Sequence, residues 1–142
     1  MRLRLILLGK SRRPELRAIF DDYIKRIGRA CQIEVNEVRD GAAAIKRLDA
    51  DRAATAILLD VAGRIQDSSA LAKWLGEQRD RGTREIIFLC GDADGFPEDL
   101  RKRVQQKFSL SALTFSHELA RVMLAEQLYR AFAILSGSPY PK

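Results

Sequence analysis

The stretch that decides the fold is Glu85-Ile86-Ile87-Phe88-Leu89-Cys90-Gly91-Asp92-Ala93-Asp94-Gly95-Phe96, in which an apolar run leads directly into a loop of glycine and aspartate. A short apolar run that ends at turn residues is typical of a buried strand. In open parallel sheets, ligands bind where loops leave the carboxyl ends of the strands. The stretch therefore predicts a buried strand followed by a candidate binding loop, in which Gly91 and Gly95 allow close approach of the backbone.

Strand and helix patterns alternate on both sides of this stretch. Strands are predicted at residues 3–8, 33–35, 56–61, 85–90 and 109–113. Helices are predicted at residues 11–28, 40–48, 68–79, 97–107 and 116–135. This alternation predicts an α/β fold, with a mainly parallel sheet flanked by helices, in a single domain that spans residues 1–142.

The last predicted helix carries apolar residues on two sides. One stripe consists of Leu119, Val122 and Met123, and the other of Leu124, Leu128, Ala131 and Leu135. A helix on the surface of a monomer needs only one such stripe. The pattern predicts a homodimer in which the second stripe is buried against the partner subunit; the alternative is a helix sunk in its own core.

The charge balance of the chain points to an anionic partner. The 142 residues include 25 lysines and arginines against 19 acidic residues, for a net charge of +6. Arginine, whose planar fork suits phosphate, supplies most of the excess. Clusters lie near residues 2–13, 25–29, 79–84 and 101–107. A polyanion partner is the functional interpretation, and a solvated basic surface without a partner is the alternative.

Composition excludes several classes of protein. No apolar run approaches the roughly 20 residues of a membrane span, and residues 3–8 are too short and too charged for a signal peptide, so we expect a cytoplasmic protein without a membrane partner. Two cysteines and one histidine predict neither a disulfide framework nor a metal site. The chain contains neither a Walker-type phosphate loop nor a G-x-S-x-G nucleophile motif.

Asp60 ends a predicted strand and invites comparison with the phosphoacceptor of a receiver domain. Such a site needs further carboxylates to hold magnesium, but the first strand ends in Gly9 and Lys10, without an acidic pair. We therefore predict that Asp60 is a helix-cap or turn carboxylate and not a phosphoacceptor.

Several motifs along nearly the whole chain match one known family. The most specific is Ser-Leu-Ser-Ala-Leu-Thr at residues 109–114, three residues before His117, followed by Glu-Gln-Leu-Tyr-Arg-Ala at residues 126–131. These motifs resemble those of SPOUT-class RNA methyltransferases, and in particular the ribosomal RNA large subunit methyltransferase H family. Further matches are residues 58–63, 68–72, 88–96 and 121–125, and the Pro139-Tyr140 pair.

The resemblance implies S-adenosylmethionine-dependent methylation of N3 of a pseudouridine in 23S ribosomal RNA on the assembled ribosome. It implies a C-terminal trefoil knot and a homodimer, in which the tail of one subunit meets the cofactor of the other. The implied cofactor-binding residues are Leu59, Gly91, Leu110, Ser111, Ala112, Leu113, Thr114 and Phe115.

The tail departs from the family pattern, in which two histidines flank Pro-Tyr and a basic residue follows. Ser138 and Pro141 replace those histidines here. The remaining catalytic candidates are Tyr140, Lys142 and His117. Tyr140 and Lys142 would position the substrate and stabilise charge, and a disordered terminus is the alternative for both. For His117, a structural role at the start of the last helix is the alternative to proton transfer.

Glu126 and Arg130 match the family motif, and an ion pair along the helix is the alternative interpretation. For the whole protein, the alternative function is a non-catalytic RNA- or ribosome-binding protein with the same fold that has lost the tail histidines.

Overall fold

The computed structural model describes residues 1–140, which alternate strictly between strands and helices. The strands are β1 (Arg2–Leu8), β2 (Gln32–Val38), β3 (Thr55–Ile65), β4 (Glu85–Cys90) and β5 (Gln106–Ser109). The helices are α1 (Pro14–Ile27), α2 (Gly41–Ala50), α3 (Ser68–Asp80), α4 (Glu98–Arg103) and α5 (His117–Ser136). The predicted α/β class is confirmed.

The five strands form one parallel sheet in the order β2-β1-β4-β3-β5. The apolar run at residues 85–90 forms the central strand β4, all of whose residues are buried. All five strands point the same way, so the loops that follow β1, β3, β4 and β5 gather at one edge of the sheet. This edge is called the carboxyl edge below, and the opposite one the amino edge.

Helices cover both faces of the sheet. Leu3, Leu5 and Leu7 of β1 pack with α1, α3 and α5 on one face, whereas Ile6 and Leu8 pack with α2 and α4 on the other. Successive side chains of a strand point to opposite faces, so a strand that is apolar throughout serves both cores. The result is a three-layer sandwich with its sheet in the middle.

The prediction was wrong about where β5 lies. The strand occupies Gln106–Ser109, and the predicted strand at residues 109–113 is mostly a loop, because α4 already ends at Arg103. Phe108 pairs with Leu59 and again with Arg64 of β3, with a shift in register between the two. Residues 110–115 are thereby left free to line a cavity at the carboxyl edge.

The prediction for the two stripes of α5 was also wrong. Leu124 and Leu128 are fully buried in the chain's own core, where α5 packs against α1, α3 and the sheet. Leu119 and Met123, from the stripe assigned to the core, are instead 40% and 41% exposed. The helix therefore fills its own core, and its other stripe is the side available to a partner.

Within residues 1–140, no helix combines the length and the apolar character that a membrane span requires. The same residues hold no cluster of three or more histidine, cysteine, aspartate or glutamate side chains placed to bind a metal ion.

Candidate active site

A cavity of about 370 Å³ opens at the carboxyl edge of the sheet. Its walls are the end of β3, the loop after β4, the loop between β5 and α5, and the first turn of α5. These elements lie far apart in the sequence and meet because β3, β4 and β5 end at the same edge. The cavity is the type of crevice in which parallel sheets bind ligands.

The structure brings together seven of the eight residues predicted to bind a cofactor. They are Leu59, Gly91, Leu110, Ser111, Leu113, Thr114 and Phe115. The eighth, Ala112, is exposed and does not line the cavity. It lies on the outside of a tight turn, in which the Ser109 hydroxyl donates to the Ser111 carbonyl and the Leu113 amide donates to the Ser111 hydroxyl.

The loop after β4 leaves no space for a side chain at Gly91. A Cβ atom built there would lie 2.9 Å from the carbonyl oxygen of Gly95, and backbone cannot yield as a flexible side chain can. Gly95 itself has a φ of +79°, and its amide donates to the Asp92 carbonyl at 3.0 Å. Both glycines are therefore required by the turn that forms this wall of the cavity.

Asp60 and Arg101 form an ion pair at the rim of the cavity. Asp60 Oδ2 accepts from Arg101 Nη1, and Asp60 Oδ1 accepts from the Ala62 amide at 2.9 Å. Burial alone would raise the pKa of Asp60, but these two donors outweigh it and hold the pKa below its usual value. The predicted turn carboxylate is confirmed, whereas sequence reasoning did not single out Arg101 as its partner.

Two residues that line the cavity carry groups capable of chemistry. Burial raises the pKa of the Cys90 thiol to about 12, so the thiolate nucleophile is not available near neutral pH. His117 is half-buried and begins α5, next to the helix cap at Ser116. Of the two catalytic candidates within the described residues, His117 lines the cavity and Tyr140 does not.

Tyr140 lies outside the cavity, in a cluster on α1 and α5. Its hydroxyl donates to Glu126 Oε1 at 3.3 Å and lies 3.4 Å from the Tyr23 hydroxyl. Its ring packs against Tyr129, with 4.7 Å between centroids, and lies beneath the Arg130 guanidinium. Tyr140 is therefore packed against the body of the chain. Lys142 lies outside the described residues.

The surroundings of Tyr140 keep its phenol protonated. Burial raises the pKa of Tyr140, and the hydrogen bond with Tyr23 and the negative charge of Glu126 raise it further. Glu126 is held in turn by a salt bridge with Arg130. The ion pair along the helix is thus present, and it is also part of the surroundings of the tail. Tyr140 is a hydrogen-bond donor at neutral pH and not a base.

Sequence reasoning did not find two charged residues of α5 that lie beneath the rim of the cavity. Glu118 and Arg121 are only 8% and 2% exposed, and both contact the loop between β1 and α1. Glu118 was not considered at all, and Arg121 was noted only as part of a longer motif. The available signal was a pair of opposite charges on a helix whose neighbouring positions are apolar.

Comparisons with known proteins show the family to which the chain belongs. The family model described as "Predicted SPOUT methyltransferase" matches residues 1–141. A ribosomal RNA large subunit methyltransferase H from Pelobacter propionicus is 42% identical over 151 aligned residues, which cover 99% of both chains. The protein of the same name from Geotalea daltonii is 40% identical, with the same coverage.

Solved structures of SPOUT-type enzymes share the fold at low sequence identity. A tRNA methyltransferase from Aquifex aeolicus has a TM-score of 0.63 and 15% identity, over all of this chain and 75% of its own. The SpoU methyltransferase AviRb from Streptomyces viridochromogenes, in complex with AdoMet, has a TM-score of 0.56 and 13% identity, over 96% of this chain and 58% of its own. At such identities the likeness shows the fold alone. With the match of residues 1–141 to the family model and the relatives at 40% and 42% identity, the chain belongs to the SPOUT methyltransferases and, among them, to the ribosomal RNA large subunit methyltransferase H family.

Proposed function

We propose that this protein transfers the methyl group of S-adenosylmethionine to N3 of a pseudouridine in 23S ribosomal RNA, on the assembled ribosome. One observation carries the proposal. The three loops assigned to the cofactor from the resemblance line one cavity, in a chain 42% identical to a ribosomal RNA large subunit methyltransferase H. A non-catalytic RNA-binding protein is not favoured, because such a protein would not need the cofactor cavity that this chain has.

The residues that line the cavity fit S-adenosylmethionine. Leu59, Leu113 and Phe96 supply apolar surface for an adenine ring, and the tight turn at Gly91 and Gly95 exposes backbone groups for polar contacts. A volume of about 370 Å³ lies in the usual range for small-molecule sites. When bound, this cofactor supplies an electrophilic methyl group on a sulfonium sulfur.

The acceptor nitrogen is an imide that must lose its proton before it becomes nucleophilic. Tyr140 stays protonated, and its hydroxyl exchanges its hydrogen bond to Glu126 for one to an imide oxygen of the substrate, which stabilises the anion. Arg130, which lies over the Tyr140 ring, shares its positive charge between Glu126 and this anion. The proton leaves to water. His117 orients the start of α5 beside the cofactor, and we propose Lys142 as a second source of positive charge.

The active unit is a homodimer in which the tail of one subunit completes the cavity of the other. Leu119 and Met123 lie one turn apart on α5 and are exposed, which suits burial against a second copy. Met123→Glu should give a folded monomer, whereas Leu128→Glu, in the core, should unfold the protein. A wild-type chain that sediments as a monomer at micromolar concentration would contradict the dimer.

Residues 1–142 form one domain, and the C-terminal part is knotted. Two features support a knot: the jump in register between β3 and β5, and the close approach of Gly63, where a Cβ would lie 2.7 Å from the backbone of Lys107 and Phe108. The protein acts in the cytoplasm, where its ribosomal substrate is assembled, and it requires no metal ion.

The experiment that tests this function is methyl transfer from labelled S-adenosylmethionine to ribosomes from a strain that lacks the endogenous enzyme. We expect incorporation into 23S RNA at a single pseudouridine, with the methyl group on N3 by mass spectrometry. Cofactor binding without transfer to ribosomes or to isolated 23S RNA would favour the non-catalytic alternative.

A further inference from the structure

The loop between β1 and α1, residues 9–13, is held in place by a buried charge from a distant part of the chain. Glu118 Oε1 accepts hydrogen bonds from two successive backbone amides of this loop, Arg12 at 2.8 Å and Arg13 at 3.1 Å. Burial alone would raise the pKa of Glu118, but these two amides outweigh it and hold the pKa below its usual value. The carboxylate therefore stays charged and stabilises one conformation of the loop.

Arg121 holds the other end of the same loop. Its Nη2 donates to the carbonyls of Leu8 at 2.6 Å and Gly9 at 3.0 Å, and its Nη1 donates to the Ser11 hydroxyl at 3.2 Å. Nε of this buried guanidinium has no hydrogen-bond partner within residues 1–140. Burying an arginine costs free energy. A loop conformation that is maintained at this cost is expected to serve a function.

The fixed backbone directs three cations outward. Lys10, Arg12 and Arg13 are all exposed, and within residues 1–140 neither Lys10 nor Arg12 has a carboxylate partner. Arg13 has only an exposed ion pair with Glu15, at 3.0 Å. The loop is therefore a fixed row of positive charge open to solvent.

This row lies next to the cavity. A Cβ atom built at Gly9 would come within 3.5 Å of the Cβ of Asp92, which lines the cavity. The turn of α5 that carries Glu118 and Arg121 also carries His117 and Ala120, which line the cavity as well. A polyanion that reaches the cavity can therefore contact the loop at the same time.

We propose that the loop at residues 9–13 is the phosphate-binding edge of the active site. Lys10, Arg12 and Arg13 bind phosphates of the ribosomal RNA on either side of the target nucleotide, and Glu118 and Arg121 are the positioning residues that hold those cations in register. The proposal rests on the proposed function, since it takes RNA as the substrate. Arginine forks and lysine ammonium groups are the usual protein contacts to RNA phosphate.

A net charge of +6 would attract RNA without any such site, so the test needs a matched control. Arg79, Arg81 and Arg84 provide it: all three are exposed, one of them has a single exposed ion pair, and they lie at the amino edge of the sheet. The loop triple variant is Lys10→Gln, Arg12→Gln and Arg13→Gln. The control triple variant is Arg79→Gln, Arg81→Gln and Arg84→Gln, which removes the same charge.

Ribosome binding is measured for both triple variants as a function of salt, together with methyl transfer and calorimetric titration of S-adenosylmethionine. We expect the loop triple to raise the KM for ribosomes at least tenfold and to lower the slope of log affinity against log salt by about 2, since each phosphate contact contributes about 0.7. The control triple should change the KM less than twofold, and cofactor affinity should be unchanged in both. Equal losses in the two triples, or an unchanged slope in the loop triple, would overturn the proposal.

The positioning role is tested with Glu118→Gln and, as a milder variant, Ser11→Ala, which removes one hydrogen bond of Arg121. Both variants keep all three cations, so the salt slope should be unchanged. Because the cations are no longer held in register, we expect a raised KM for ribosomes with a kcat within twofold of the wild-type value. A KM equal to that of the wild type in both folded variants would overturn this role. Ribosome binding is measured directly, so a wild type that binds but transfers no methyl group refutes the proposed function and still leaves the loop tested.

Discussion

The cavity at the carboxyl edge and the cluster around Tyr140 are built in opposite ways. The cavity is made of apolar side chains and tight backbone turns, and its buried thiol is kept protonated. The Tyr140 cluster consists of phenols and an ion pair, held together by hydrogen bonds between side chains. Glu126 follows His117 by nine residues, which corresponds to about 13 Å along the helix axis. The two regions are separate sites within one chain.

The difference indicates that the two regions have different roles, one toward the cofactor and the other toward the RNA. A cofactor that is the same in every reaction needs a cavity of fixed shape, and the loops of one chain line this cavity. An RNA imide that must be deprotonated needs hydrogen-bond donors and positive charge, and we propose Tyr140, which follows α5, and Arg130, on α5, for these roles. The two sites meet only if a second copy brings its tail to the cavity of the first.

The largest expected effect is the loss of cofactor binding in a variant of the cavity that leaves the Tyr140 cluster unchanged. Gly91→Val places a branched side chain against the Gly95 backbone and should abolish detectable S-adenosylmethionine binding in calorimetry, while circular dichroism shows a folded protein. Gly82→Ala is the control: it adds a Cβ at a positive φ in open space at the amino edge. It should cost about 1 kcal/mol of stability and no cofactor affinity.

A second variant removes the tail and leaves the cavity unchanged. Deletion of residues 138–142 should lower single-turnover methylation of ribosomes by about a hundredfold, because hydrogen bonding and charge at the acceptor are lost. Cofactor affinity should stay within twofold of the wild-type value. Tyr140→Phe, which removes only the hydroxyl, should give a methylation rate between those of the wild type and the deletion variant. A cofactor affinity that drops together with turnover would mean that the regions are not separate.

The pH profile sharpens the role of the tail. Since the pKa of Tyr140 is raised, its phenol does not titrate between pH 7 and 9, and the change in rate comes from ionisation of the substrate imide. Single-turnover rates should therefore rise about tenfold from pH 7 to 8, without a plateau from a histidine near pH 6.5. Pro141→His should raise the neutral rate and flatten the profile. A wild-type plateau near pH 6.5 that is lost in His117→Ala would instead make His117 the base.

The Asp60–Arg101 pair should have a smaller effect, confined to the cavity. Asp60→Asn leaves the Arg101 guanidinium unpaired at the rim, and cofactor affinity should fall about fivefold through distortion of the wall, which converts to about 1 kcal/mol. Arg101→Gln should have a similar effect, and the double variant should be no worse than either single variant. Additive losses would show that the two residues act independently.

How far the sequence alone predicts the molecule depends on the range of the interactions involved. The apolar run at residues 85–90 is enough to predict a buried strand, and the strand ends predict where the loops gather. The alternation of apolar residues along α5 does not reveal which stripe faces the sheet, since both stripes are apolar and the choice depends on packing against α1 and α3. The Asp60–Arg101 pair, and the contacts of Glu118 and Arg121 with residues 8–13, join distant segments, so a local pattern does not show which groups these charges contact.

The smallest effect concerns stability in acid. The pKa of Glu118 is lowered in the folded state, so its contribution to the free energy of unfolding is present above the unfolded value of about 4.3 and is lost as the pH falls below it. Glu118→Gln should therefore be less stable than the wild type by about 1 kcal/mol at pH 7. The difference between the two proteins in urea unfolding should shrink as the pH falls through the lowered folded-state pKa of Glu118. A difference that does not change with pH would assign the loss to packing and not to charge.

The most direct test of a cavity completed by the partner's tail is to mix two inactive variants. Gly91→Val keeps the tail but not the cofactor site, and the deletion of residues 138–142 keeps the cofactor site but not the tail. After the subunits exchange, the mixed dimer contains one intact site, and transfer to ribosomes should return to about a quarter of the wild-type rate. If mixed dimers form and activity stays at the sum of the two separate variants, each chain uses its own tail, and the account is contradicted.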